Sequence, residues 1–256
     1  MINSMTVSVL IPLYNKAPYI ENTIASVINQ TWQGDIELVI YDDCSTDNGL
    51  EKAIAYTEAN YKRGKVVIIR GEVNRGTAFA TNEADANASG DVRFLLGADD
   101  LCHPMRIEKQ VEMLQATGAL IVDSYLLSKD VHECVTSICK AHLPDAKRRM
   151  AKDGKNPMNG GTMAWRKELR GLMESKDGYF FNTNMRHAED VEFATRAVAY
   201  TNAFSCPEFL YTALRNKDNK TNFKSPPPER VRDLAHIEKV RTRLFGSVRR
   251  KGGHFL

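Results

Sequence analysis

Three pairs of adjacent acids carry the most obvious chemistry in this chain: Asp42-Asp43, Asp99-Asp100 and Glu189-Asp190. The first two follow β-rich apolar runs at 36–41 and 92–96, which places them at the carboxyl ends of strands, where open α/β sheets take their ligands. Carboxylates in that position repel a phosphate unless a divalent cation lies between them. Hard oxygen ligands favour Mg²⁺ or Mn²⁺, usually shared with substrate phosphates, so a metal-bridged diphosphate is the simplest ligand for such an edge. Glycine-based phosphate cradles are absent. No Gly-x-Gly-x-x-Gly follows the first strand and no Gly-x-x-x-x-Gly-Lys-Ser/Thr occurs anywhere, which excludes ordinary dinucleotide and P-loop enzymes.

The elements that must position these acids alternate. Strand-like runs at 6–11, 36–41, 65–69, 92–96 and 120–127 are separated by helical stretches. Ile20, Ile24, Val27 and Ile28 mark the first helix, a second runs to about 61, a third spans 77–88, and Pro104 opens a fourth with Ile107, Val111 and Leu114 on one face. This is a βαβ pattern, and it predicts an α/β fold with a mainly parallel central sheet and helices on both faces. Beyond Lys129 the periodicity weakens. A polar segment at 145–155, a turn at Asn159-Gly160-Gly161 and a helix starting near Glu189 are followed by Ser225-Pro226-Pro227-Pro228 and a final helix over 229–248.

The composition, 43% hydrophobic and 26% charged over 256 residues, is that of a globular protein with a sizeable core. No apolar stretch approaches the roughly 20 residues of a membrane span. Residues 1–13 lack a basic leader and their apolar run is broken by Pro12, unlike a secretory signal. Five scattered cysteines without a Cys-x-x-Cys pair suggest no disulfide framework, and the expected setting is reducing and cytoplasmic. His132, Cys134, Cys139 and His142 fit no common zinc spacing, and in an extended stretch the two cysteines point to opposite faces.

Five stretches carry a resemblance: Val7-Ser-Val-Leu-Ile-Pro-Leu-Tyr-Asn-Lys16, Leu38-Val-Ile-Tyr-Asp-Asp-Cys-Ser-Thr-Asp47, Asn74-Arg-Gly76, Gly90-Asp-Val-Arg-Phe-Leu-Leu-Gly-Ala-Asp-Asp100 and Ala188-Glu-Asp-Val-Glu192. In order and spacing over about residues 5–200 they resemble the inverting family 2 glycosyltransferases of GT-A fold, which use nucleotide-diphosphate sugars. The resemblance implies a catalytic domain over 1–215, with a nucleotide-sugar half to about 100 and an acceptor half beyond it. It implies that Pro12 and Tyr14 lie at the nucleotide, with Tyr14 stacked on the base, and that Asp43 accepts a uracil-like N–H, hence a UDP-sugar. Arg75 would reach the diphosphate, Asp99 would hold Mn²⁺ or Mg²⁺, and Asp190 would be the catalytic base. Trp165, His187 and Glu189 would face the acceptor.

Plainer readings stand beside these. Tyr14 packs in a loop, Asp43 caps beside Ser45, Glu189 and Asp190 are first-turn acids favoured by the helix dipole, Trp165 is core and His187 is a surface residue. The chain also departs from the family pattern. Gly97-Ala98 stands where a further acid is usual, Cys44 replaces a Gly and Thr81 an Arg. No Gln-x-x-Arg-Trp motif is present, which favours single-sugar transfer over polymerisation.

Net charge is +3 but unevenly distributed: residues 215–256 hold 12 Lys+Arg against 4 Asp+Glu, the remainder 23 against 28. In the last helix Val231, Leu234, Ile237, Val240, Leu244 and Val248 form a stripe, with Arg230, Arg232, Arg241, Arg243, Arg249 and Arg250 mostly off it. Three roles are open for this basic extension, 216–256. It packs on the catalytic domain, it lies on an anionic membrane carrying a lipid-linked acceptor, or it contacts DNA phosphates. The expectation is a metal-assisted transferase moving one sugar to a glycan or lipid-linked saccharide at the inner membrane face. Hydroxylated bases in DNA are the alternative acceptor, and a non-catalytic nucleotide-sugar-binding protein is the alternative of another class.

Overall fold

The computed structural model describes residues 5–130, 132, 134–139, 144–215 and 227–246. His142 of the cysteine–histidine cluster and Val248, Arg249 and Arg250 of the tail lie outside them.

Four parallel strands form the first half of the sheet: β1 (Val7–Leu13), β2 (Ile36–Asp42), β3 (Val66–Arg70) and β4 (Val92–Leu95), in the order β3-β2-β1-β4. Helices α1 (Ile20–Ile28), α2 (Gly49–Asn60) and α3 (Thr77–Ala86) connect them. Successive residues of a strand point to opposite faces, so this half builds two cores at once. Val7, Val9, Ile11 and Leu13 join Ile20, Ile24 and Val27 of α1 in one core, while Leu10 joins Val39 and Ala78, Ala80 and Ala84 of α3 in the other. β2 is buried along its whole length, as a central strand covered on both faces must be. The predicted elements of this half all form, within a few residues of their expected ends.

The second half contains β5 (Leu101–Cys102), α4 (Arg106–Thr117), β6 (Ile121–Lys129), β7 (Val135–Cys139), α5 (Pro144–Lys152), β8 (Ala164–Arg166), α6 (Glu168–Asp177), α7 (Glu189–Tyr200), β9 (Ala203–Leu214) and α8 (Pro228–Phe245). The sheet continues β4-β8-β6-β9-β5, with β7 off this path as a hairpin on β6. Here the directions mix: β8 is antiparallel to both neighbours, β9 runs parallel to β6, and β5 antiparallel to β9. Cys134 and Cys139 are exposed at the ends of β7, and among the described residues no group of three or more His, Cys, Asp or Glu is placed to hold a metal.

Arg106 ties the halves together. Fully buried, it donates to the carbonyl oxygens of Leu95 (2.9 Å) and Gly161 (3.0 Å), locking the turn before β8 onto the end of β4. Helix α8 starts with Pro228 in its first turn, where a missing N–H costs nothing, and lies on α7 with Ile237 and Val240 buried. Several of its basic side chains point back to the body: Arg243 pairs with Asp177 at 2.7 Å and Arg241 donates to the Ala151 carbonyl at 2.6 Å. No helix among the described residues is long and apolar enough to cross a membrane.

Candidate donor site and catalytic base

A pocket of about 410 Å³ opens at the carboxyl ends of β1 and β2 and the start of α3. Pro12, Tyr14, Asp43, Gly76, Arg186 and His187 line it, with Glu229 of α8. The two strand-end loops are stapled to each other. Asn15 Oδ1 accepts the Thr46 N–H (2.8 Å), Ser45 Oγ accepts the Asn15 N–H (3.0 Å) and Asp47 Oδ2 accepts the Ala17 N–H (2.9 Å). Asp43 is 3% exposed, and its two oxygens accept the N–H groups of Arg75 (2.8 Å) and Gly76 (2.7 Å). It thereby joins the end of β2 to the start of α3, while each oxygen keeps a second acceptor direction for a ligand. The capping contact with the Ser45 N–H belongs to Asp42, not Asp43. Tyr14 is 37% exposed and presents an aromatic surface to the pocket wall.

The Arg75 guanidinium lies 3.6 Å from the Phe79 ring centre and is not among the pocket-lining residues. The cation of the pocket wall is Arg186, which donates to Asn74 Oδ1 at 3.1 Å.

Asp99 lies just past β4 and pairs with Lys16 Nζ at 2.6 Å, both largely buried. Its neighbour Asp100 has different work. Asp100 accepts the Tyr211 hydroxyl (2.6 Å) and the Leu214 N–H (3.0 Å), and burial followed by the nearby Asp99 charge pushes its pKa up to about 6. This pair also explains Gly97. A Cβ there would come within 2.6 Å of Asp100 Oδ2 and 3.2 Å of the Tyr211 hydroxyl, so an acid at 97 has no room. Asp99, which is not among the pocket-lining residues, could serve a divalent cation only by giving up Lys16, with further ligands coming from a diphosphate. That donor set suits Mg²⁺ or Mn²⁺.

Asp190 stands in the first turn of α7, after Ala188 in the left-handed region at φ 55°. Its carboxylate packs directly over Gly160, where any Cβ would collide with it. Burial raises its pKa above the ordinary 3.8, against the opposing pull of the Val191 N–H and its own. Glu192, two residues on, is not a comparable group. It is fully buried, bonded to Arg196 Nε and Nη2 at 2.8 Å each and to the Tyr179 hydroxyl.

Residues 8–170 match Glycosyl transferase family 2. The chain belongs to this family. Among curated relatives it is 38% identical over 125 residues to Bacillus subtilis TuaG, a glycosyltransferase named for teichuronic acid biosynthesis, covering 47% of each chain. The chain thus spans about half the length of that relative. Among solved structures, Staphylococcus aureus TarS with UDP-GlcNAc superposes with TM-score 0.70 at 19% identity, over 94% of this chain and 71% of that one. The mannosyltransferase PcManGT of Pyrobaculum calidifontis, with GDP-Man and Mn²⁺, gives 0.63 at 22%, over 92% and 69%. These likenesses establish the GT-A fold.

Within this family 2 domain, Trp165 requires a correction. Its indole is fully buried, donates to Asp85 Oδ1 (3.0 Å) and packs among Phe180, Phe181 and Phe193, so it has no face for a sugar. His187 lines the pocket beside Arg186, and Glu189 is half-buried at the start of α7. The sequence predicts α8 and leaves open its packing on the catalytic domain, but it does not single out Arg186, Gly160 as the partner of Asp190, or Glu229 of α8 in the pocket wall. Arg186 sits two residues before the Ala188-Glu-Asp motif, which is the signal that could have drawn attention to it.

Proposed function

We infer that the chain moves one sugar, with inversion, from a UDP-sugar to a hydroxyl of a glycan or lipid-linked saccharide. The observation that carries this reading is one continuous loop. Arg186 and His187 line the nucleotide pocket, and Asp190, three residues beyond His187, presents its carboxylate over Gly160.

Tyr14 supplies a stacking face for the base and Asp43 supplies acceptor positions, which select a base edge that donates, as uracil N–H does. Arg186 offers positive charge to the pocket. Asp190 takes the acceptor proton while the acceptor oxygen bonds to the anomeric carbon and the bond from that carbon to the diphosphate oxygen breaks on the opposite side. A divalent cation held by Asp99 would neutralise charge on the departing diphosphate. TarS and PcManGT, solved with UDP-GlcNAc and with GDP-Man and Mn²⁺, support a nucleotide-sugar donor, and TuaG supports a glycan product.

The test is Asp190→Asn. Transfer from labelled UDP-sugars should fall about 10²- to 10⁴-fold, the range for loss of a positioned base. UDP affinity should stay unchanged. In the wild-type chain the acid limb of the rate profile should lie above pH 3.8, since burial raises the Asp190 pKa and protonation removes the base. Transfer that survives in Asp190→Asn would overturn the assignment.

A further inference from the structure

Helix α8 does more than cover the body. Three consecutive grips connect it to the loop at 182–187, and each comes from a different residue of one face. Asp233 Oδ2 accepts the backbone N–H groups of Arg186 (2.8 Å) and His187 (3.0 Å). Arg232 Nη2 donates to the Asn184 carbonyl (3.2 Å) and, with Nε, also to Asp233 Oδ1 (3.0 and 3.1 Å). His236 Nε2 lies 3.1 Å from Asn182 Nδ2. Asp233 is 2% exposed, so its charge is compensated by these donors and by little water.

The gripped loop is the one that carries Arg186 and His187 into the pocket and leads into Asp190. Arg186 reaches across to Asn74, whose neighbours Arg75 and Gly76 are held by Asp43. One turn before Asp233, on the same face of the helix, Glu229 is itself part of the pocket wall. The pocket therefore has two ends of support: Asp43 from β2 on one side and Asp233 from α8 on the other.

The geometry points to Asp233 as a positioning residue of the donor site, and to α8 as the wall that completes it rather than an appendage to it. Asp233 is not itself among the residues that line the pocket. It fixes two backbone N–H groups, and through them the direction of the Arg186 and His187 side chains. This rests on the reading of the pocket as a UDP site.

The experiment measures UDP binding to the full chain by calorimetry, beside thermal unfolding. Asp233→Ala should weaken UDP about tenfold. Asp233→Asn keeps one oxygen able to accept both N–H groups and should restore affinity to within about twofold of wild type. Val240→Ala, which loosens the α8 packing without touching the loop, should lower the unfolding temperature and leave UDP affinity unchanged. Equal affinity in Asp233→Ala and wild type, or an equal loss in Val240→Ala, would overturn the inference alone. If the wild-type chain binds no UDP, the proposed donor falls first and this inference with it.

Hydrogen exchange of the wild-type chain gives a second measurement that needs no variant. UDP should slow exchange in both 183–190 and 227–235. Slowing confined to the first segment would remove α8 from the pocket wall.

Discussion

In the half of the sheet made by β1 to β4, Tyr14 and Asp43 directly follow the last residues of β1 and β2. Their loops are stapled by neighbours such as Asn15, Ser45 and Asp47 from the same motifs. In the half made by β6, β8 and β9, the equivalent work is done by partners that belong to no motif. Asp190 depends on the space left by Gly160, and the loop at 182–187 is held by Asp233, 46 and 47 residues away from its two partners. Both halves are held by contacts between residues about 30 or more apart, but the staples of the first half join recognisable motifs to one another, whereas Gly160 and Asp233 lie outside every motif. Substitutions in the second half should therefore have effects that no local motif foretells.

Trp165 tests this most heavily. The family resemblance places it at an acceptor pocket, with core packing as the plainer reading, and the structure makes it the centre of an aromatic cluster. Trp165→Ala should cost about 3–5 kcal/mol of stability in chemical denaturation, the usual range for emptying such a site. The acceptor KM of the protein that remains folded should not change. A small loss of stability together with a raised acceptor KM would return Trp165 to the acceptor pocket.

Gly160→Ala comes next. The added methyl cannot coexist with the present Asp190 carboxylate, so the base must turn away. Transfer should drop about 10²- to 10³-fold, or roughly 3–4 kcal/mol of activation free energy, while UDP affinity holds because Tyr14 and Asp43 are untouched. If both fall together, the two halves of the site are coupled more tightly than their separate supports suggest.

The same contrast explains what the sequence made legible. The strands β1 to β4 are apolar runs bounded by turn residues, and the acids at their ends follow directly. β9 is hidden because Pro207 and Glu208 interrupt it, and the register with β6 shifts there, between Ser124 and Leu126. β8 has three residues, too few for periodicity to register. Gly97 stood out as a missing acid, but its cause, the Asp100–Tyr211 pair, joins residues 111 apart. Asp233 did leave a trace. It lies four residues before Ile237 and seven before Val240, an acid on the face that the helix buries.

The smallest expected effect belongs to the half whose motifs are legible. Cys44 occupies φ 62°, the left-handed region in which a Cβ meets the neighbouring carbonyl and glycine does not. Its Sγ lies 3.4 Å from the Glu72 carbonyl, a weak contact. Cys44→Gly relieves the backbone strain but widens the freedom of the unfolded chain, and these terms partly cancel. Stability should rise by about 0.5–1 kcal/mol in thermal or chemical unfolding. UDP affinity should stay level, because the adjacent Asp43 is held by Arg75 and Gly76 rather than by the residue at 44. A weaker UDP complex in this variant would mean that the thiol itself shapes the β2 loop. The thiol would then join the staples of the donor half through its contact to Glu72, 28 residues away.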